Sequence, residues 1–186
     1  MKSYRLIIAA VLAGFPSASL LAQDNQPRLE PDRTVKFAER DTCSLYMDIY
    51  DPEPSMVVCP DGKERPTVIH VFGGGFKEGS REESWLRPWF REMNSRGYRM
   101  ISIDYRLGLK GVLGVTQSEF NVLLDNAIRL AVEDLFAATA YLLENGSSMG
   151  IDARNIVVTG SSAGAITAQQ AEWEICNGTA LASALP

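Results

Sequence analysis

The chain has 186 residues, 46% of them hydrophobic, and carries 18 Lys and Arg against 23 Asp and Glu, a formal net charge of −5. That is enough apolar chain for one globular domain with a sizeable core, and it excludes disorder in bulk. The acidic balance argues against nucleic acid as a partner, because that binding rests on basic side chains neutralising phosphates.

The first residues read as an export signal. Lys2 and Arg5 are basic, Leu6 to Ala13 is apolar, Pro16 breaks the run, and small residues lead to Ala22 and Gln23. Pro16, Ser17 and Ser19 leave too little clean apolar chain for a membrane span of about 20 residues. Cleavage near Ala22 is therefore expected rather than anchoring, with the mature protein periplasmic or secreted. The expected division is residues 1–22 as signal peptide, 23–33 as a polar leader containing Pro27 and Pro31, and 34–186 as the folded part.

Two strands are predicted next, Thr34 to Ala38 and Ser44 to Tyr50. In the second, Leu45, Met47 and Ile49 alternate with Tyr46, Asp48 and Tyr50, as in a half-buried strand. A turn-rich interval from Pro60 to Pro66 leads to Thr67–Phe72, a nearly continuous apolar run expected to be buried on both faces. Gly73, Gly74 and Gly75 follow at once. Three glycines ending a buried strand let the backbone approach a ligand and leave N–H groups free to donate. No G-K-[ST] and no G-x-G-x-x-G helix start accompanies them, so an anion loop for a developing oxyanion fits better than a nucleotide phosphate loop. Glu82 to Ser95 is predicted as an amphipathic helix, Arg99 to Tyr105 as a strand, and Gly108 to Thr116 as a loop. Gln117 to Glu144 reads as a long helix, with Leu124, Ile128, Ala131, Leu135, Ala138 and Leu142 on one face. Asn145-Gly146 is expected to stop it.

The segment Asn155 to Gly160 reads as a buried strand that runs into Gly160-Ser161-Ser162-Ala163-Gly164 and then a helix over Ala165 to Glu174. A pentapeptide of small residues on its own is as consistent with an ordinary glycine-rich loop. Between a strand and a helix it has the layout of a nucleophile elbow, with Ser162 at the tip. Glycines at its flanks relieve crowding, and the Ala163 N–H at the helix start can face negative charge on a carbonyl oxygen under attack. Alternating strands and helices predict an α/β fold, a mostly parallel sheet with helices on both faces.

These ordered motifs resemble the α/β-hydrolase superfamily, in its carboxylesterase and hormone-sensitive-lipase-like branch. The resemblance runs from about Cys43 to Cys176 and rests on Leu45–Tyr50, Gly73–Phe76, Asp104–Leu107, the Glu133-Asp134 helix and Gly160–Gly164. It implies Ser162 as nucleophile, the N–H groups of Gly74, Gly75 and Ala163 as oxyanion hole, no cofactor and no metal. Two departures stand out. Phe72 occupies the place where lipase-like esterases carry histidine before the glycines, and Ser161 stands where an acidic residue often precedes the nucleophile.

The triad order in this fold is serine, acid, histidine. The 24 residues after Ser162 hold neither Asp nor His, and the one histidine, His70, lies upstream in a strand where a core role is expected. Asp134 and Arg106 are expected to be structural. The chain is thus read as the front half of an esterase, lacking the triad acid and histidine, inactive alone and aggregation-prone through an uncovered edge beside the elbow strand. Cys43 and Cys59 could pair, or all three cysteines, Cys176 included, could be buried free thiols. No Cys/His cluster has zinc-ligand spacing. The leading expectation is cleavage of a small-molecule or carbohydrate-linked carboxylic ester through an acyl-enzyme. The alternatives are a silent adhesion or binding protein on the same fold, and a serine peptidase.

Overall fold

The computed structural model describes residues 5–8, 29–53 and 65–185. Most of the segment that reads as an export leader, most of the interval from Pro60 to Pro66, and Cys59 lie outside them. Nine main elements follow in chain order: β1 (Arg5–Ile8), β2 (Arg33–Arg40), β3 (Cys43–Tyr50), β4 (Thr67–Val71), α1 (Arg87–Ser95), β5 (Arg99–Ile103), α2 (Gln117–Asn145), β6 (Asn155–Gly160) and α3 (Ala163–Cys176).

The strands form one sheet in the order β1-β6-β4-β5-β3-β2. β1, β6, β4 and β5 run parallel, and β3 and β2 add an antiparallel flank, with a register shift between Lys36 and Ala38. The mostly parallel sheet read from the sequence is present. β4 lies at its centre and is buried at every position, as its unbroken Thr-Val-Ile-His-Val run demands. Ile69, Val71, Ile101, Ile103, Ile156 and Val158 face the side covered by α2 and α3. Val68, Met100 and Tyr50 pack with Phe90 of α1 on the other side. Burying a side chain of this size contributes roughly 1.5–3 kcal/mol, so the central strands anchor everything attached to their C-terminal ends.

Several local readings shift. β3 alternates only in its first half, because Asp48 and Tyr50 are buried. Arg81 pairs with the Asp48 carboxylate, and Tyr50 lies 5.2 Å from the Phe90 ring. The helix expected from Glu82 starts at Arg87 instead, after a single 3-10 turn over Ser84–Leu86, with Pro88 in its first turn where the missing N–H costs nothing. α2 begins as read, and Thr116 and Glu119 close a capping box. It also ends as read, at Asn145 with Gly146 as its cap, and a separate 3-10 turn over Gly146–Met149 leads to Gly150, whose φ of 70° makes the left-handed exit.

Asp134 on α2 is fully buried, and its two oxygens accept from the Arg40 Nε, the Arg106 backbone N–H and two guanidinium nitrogens of Arg106, at 2.8–2.9 Å. This joins α2 to the end of β2 and to the chain leaving β5, the structural role expected of both residues. Cys43 and Cys176 are free and exposed rather than buried. The edge beside the elbow strand is not open either. β1 pairs with it, Arg5 opposite Asn155 through Ile8 opposite Val158, because an apolar extended segment satisfies the ladder groups that β6 would otherwise present to water. No helix among the described residues is long and apolar enough to cross a membrane.

Candidate active site

Ser162 sits between β6 and α3 with φ 50° and ψ −115°. Side chains with a Cβ rarely adopt a positive φ, and holding one there costs on the order of 1–3 kcal/mol. The strain is imposed by the neighbours. A Cβ on Gly160 would stand 2.3 Å from the Gly164 carbonyl, and one on Gly164 would stand 2.0 Å from the Val71 carbonyl oxygen. Ser161 donates its N–H to that same Val71 oxygen at 3.1 Å. The turn is therefore pressed against the end of β4. α3 begins immediately, and the N–H groups of Gly164 and Ala165 turn back to the carbonyls of Ser161 and Ser162. Ser162 itself is exposed.

The glycine loop leaves β4 beside this turn. A Cβ on Gly73 would lie 3.3 Å from the Ser162 Cβ, so the two sequence motifs are in direct contact. Gly74, Gly75 and Phe76 have φ of 111°, 62° and 61° in succession. Phe76 tolerates this because its ring is buried and its carbonyl accepts the Leu109 N–H at 2.9 Å. Tyr105 fixes the base of the loop. Its ring stacks on Phe72 at 4.3 Å and its hydroxyl donates to the Phe72 carbonyl at 3.0 Å. Burial, and in smaller part the Glu83 carboxylate, pushes the Tyr105 phenol above its ordinary pKa, so it stays a neutral donor.

Hydrogen bonds at the loop engage carbonyls: Gly74 C=O accepts from the N–H groups of Lys77 and Glu78. Among the described residues, no backbone acceptor takes the N–H of Gly74, Gly75 or Ala163. Gly73, Gly74 and Ser162 border one cavity of about 500 Å3, with Ser161 and Gly79. Gly75 and Ala163 are the next residues along the loop and the helix and do not line it. Ser161 is a further finding, because its Oγ is buried without a hydrogen-bond partner.

The cavity is also lined by Glu78, Glu83 and Trp85, none of which the sequence singled out as site residues. Trp85 falls inside the helix the sequence predicts from Glu82, but the structure places it in the 3-10 turn before α1. The available signal was Pro88, which belongs in a first turn and so leaves Trp85 ahead of α1.

His70 is elsewhere. Its ring packs between Trp89 and Phe90 of α1, at 5.3 and 5.9 Å. Thr159 Oγ1 donates to the Ile69 carbonyl, so its contact with His70 Nδ1, at 3.2 Å, requires the proton on Nδ1. Nε2 is then a buried acceptor without a partner, and burial lowers the pKa to about 4. The structure makes it a neutral core histidine. Among the described residues no group of acidic, histidine or cysteine side chains could hold a metal ion.

The BD-FAE family profile matches residues 47–172, from β3 to the later turns of α3. Esterase B1 of Culex pipiens is 32% identical over 104 residues, 56% of this chain and 18% of its own length. The neuroligin-like protein glit-1 of Caenorhabditis elegans is 28% identical over 153 residues, 81% of this chain and 19% of its own. Among solved structures, esterase 2 of Thermogutta terrifontis, described bound to propionate and phosphorylated by paraoxon, superposes with a TM-score of 0.56 at 22–23% identity. That match covers 76% of this chain and about 45% of the esterase in its propionate-bound form. The chain thus spans less than half the length of each. With more than half its residues inside the profile, and with the elbow, glycine loop and parallel sheet in contact as described, the chain belongs to the BD-FAE family and has the α/β-hydrolase fold of carboxylesterase-like proteins.

Proposed function

We propose that the protein is a serine hydrolase that cleaves small-molecule carboxylic esters through an acyl-enzyme. The observation that carries this is Ser162, exposed on a strained turn and packed against the glycine loop. Its Oγ attacks the ester carbonyl, and the N–H groups of Gly74, Gly75 and Ala163 receive the developing oxyanion. The absence of backbone acceptors for these three groups among the described residues supports the role. Each such donor contributes about a hundred- to thousandfold in rate.

Deprotonating Ser162 needs a base, and His70 is the only histidine in the 186 residues and is buried against α1. The base and its acid partner are therefore assigned outside this sequence, in the serine, acid, histidine order of the fold. The leader supports export. The neuroligin-like relative favours a second reading, a binding protein on the same fold. Two features argue against it, because a binding surface needs neither a strained serine nor a glycine loop with free donors.

The test is to treat the complete protein with paraoxon and locate the adduct by peptide mass spectrometry. Modification of Ser162, lost in Ser162→Ala, is expected together with hydrolysis of p-nitrophenyl acetate. Hydrolysis that survives Ser162→Ala would overturn the assignment.

A further inference from the structure

The cavity that Ser162 borders carries a charge that catalysis does not call for. Among the described residues, Glu78 and Glu83 both line the 500 Å3 cavity, and no Lys, Arg or His does. The nearby Arg81 is committed elsewhere, to Asp48, Glu82 and Asp104, and the Lys77 side chain lies alongside Gly75 without lining this cavity. Trp85 is half exposed at the rim, an unusual position for so large a ring, and its indole N–H donates to the Glu83 carboxylate. That bond keeps the negative charge beside the aromatic ring. An indole beside a carboxylate attracts cations twice, through the ring quadrupole and through the full charge. The chain's net charge of −5 adds attraction at longer range.

We propose that Glu83 and Trp85 select the substrate by charge, so that the cavity takes an ester bearing an ammonium group in preference to its neutral isostere and disfavours one bearing a carboxylate. This rests on the ester-cleaving reading of Ser162. A purely apolar group would use the ring but would leave the two carboxylates without a counterpart. A cavity of this volume suits a small ester with its charged group a few ångströms from the carbonyl.

The test uses the complete protein and three matched thioesters: acetylthiocholine, its uncharged 3,3-dimethylbutyl analogue, and 3-(acetylthio)propionate. At low ionic strength, kcat/KM is expected to rise about tenfold from neutral to cationic and to fall about tenfold from neutral to anionic, each gap shrinking with added salt. Glu83→Gln is expected to reduce the cation-to-neutral ratio about fivefold, while Glu82→Gln leaves it unchanged.

A second measurement needs no turnover. In Ser162→Ala, the indole N–H resonance of Trp85, assigned with Trp85→Phe, is titrated with tetramethylammonium chloride against sodium chloride of equal strength. A saturating shift specific to tetramethylammonium, lost in Glu83→Gln, supports the proposal. An unmoved resonance, or a ratio indifferent to Glu83→Gln, overturns it. Absence of ester turnover with no paraoxon adduct on Ser162 would instead sink the ester reading, and the titration would still decide the charge recognition.

Discussion

The proposed nucleophile, Ser162, is also a strained residue, and this makes the strain measurable. Its φ of 50° is one that glycine adopts freely. Ser162→Gly should therefore be more stable than Ser162→Ala by about 1 kcal/mol, despite the extra freedom glycine has when unfolded. Equal unfolding midpoints in urea would show that the turn is unstrained. Gly164 has the opposite constraint. A Cβ there would meet the Val71 carbonyl oxygen at 2.0 Å, an atom of the central strand that has nowhere to go. Gly164→Ala is expected to cost about 3 kcal/mol or to prevent folding, as read by thermal unfolding. Both glycines of the elbow were legible as crowded positions from their spacing alone. Phe76 was not, because nothing in Gly73-Gly74-Gly75-Phe76 says that the positive φ continues past the last glycine.

At the scale of elements, β4 meets α1 through His70, and the contact makes stability depend on pH. The unfolded imidazole titrates near 6.5, whereas burial holds the folded one at about 4. Above pH 6.5 both states are neutral and this stability is fully present. As pH falls from 6.5 to 4, only the unfolded chain takes up the proton, and up to about 3 kcal/mol is lost. Denaturant unfolding at pH 7 and pH 4.5 should show wild type losing more stability than His70→Leu. Parallel losses would mean that the ring is solvated. The Asp134 junction is the second such joint. Asp134→Ala would remove the shared partner of Arg40 and Arg106, leaving Arg106 paired with Glu133 alone, and should cost about 3 kcal/mol in urea unfolding, far more than an exposed ion pair would. That the pair is structural could be anticipated from its place on a long helix. That one carboxylate serves two arginines from separate strand ends could not, since they are brought together only when β2, β5 and α2 pack.

The described residues form a mostly parallel sheet whose β6 edge is occupied by β1, a strand drawn from the segment that reads as an export leader. Removing residues 1–22 should expose the Asn155–Val158 ladder and speed aggregation relative to the 186-residue chain at equal concentration, followed by light scattering. An unchanged rate would mean that β1 does not protect this edge in solution. Almost every element could be read in the sequence, because unbroken apolar runs, a 3.6-residue stripe and glycine punctuation are local signals of burial and chain reversal. The elbow and the glycine loop were legible for the same reason, each being a short pattern beside a strand. What only the tertiary structure decided is what those patterns touch. The contact of Gly73 with Ser162, the burial of Asp48 and Tyr50 in an alternating strand, and the acidic aromatic wall of Glu78, Glu83 and Trp85 all join residues far apart or differently oriented in sequence. Local periodicity fixes which side of its own element a residue faces, and only packing fixes what lies across from it.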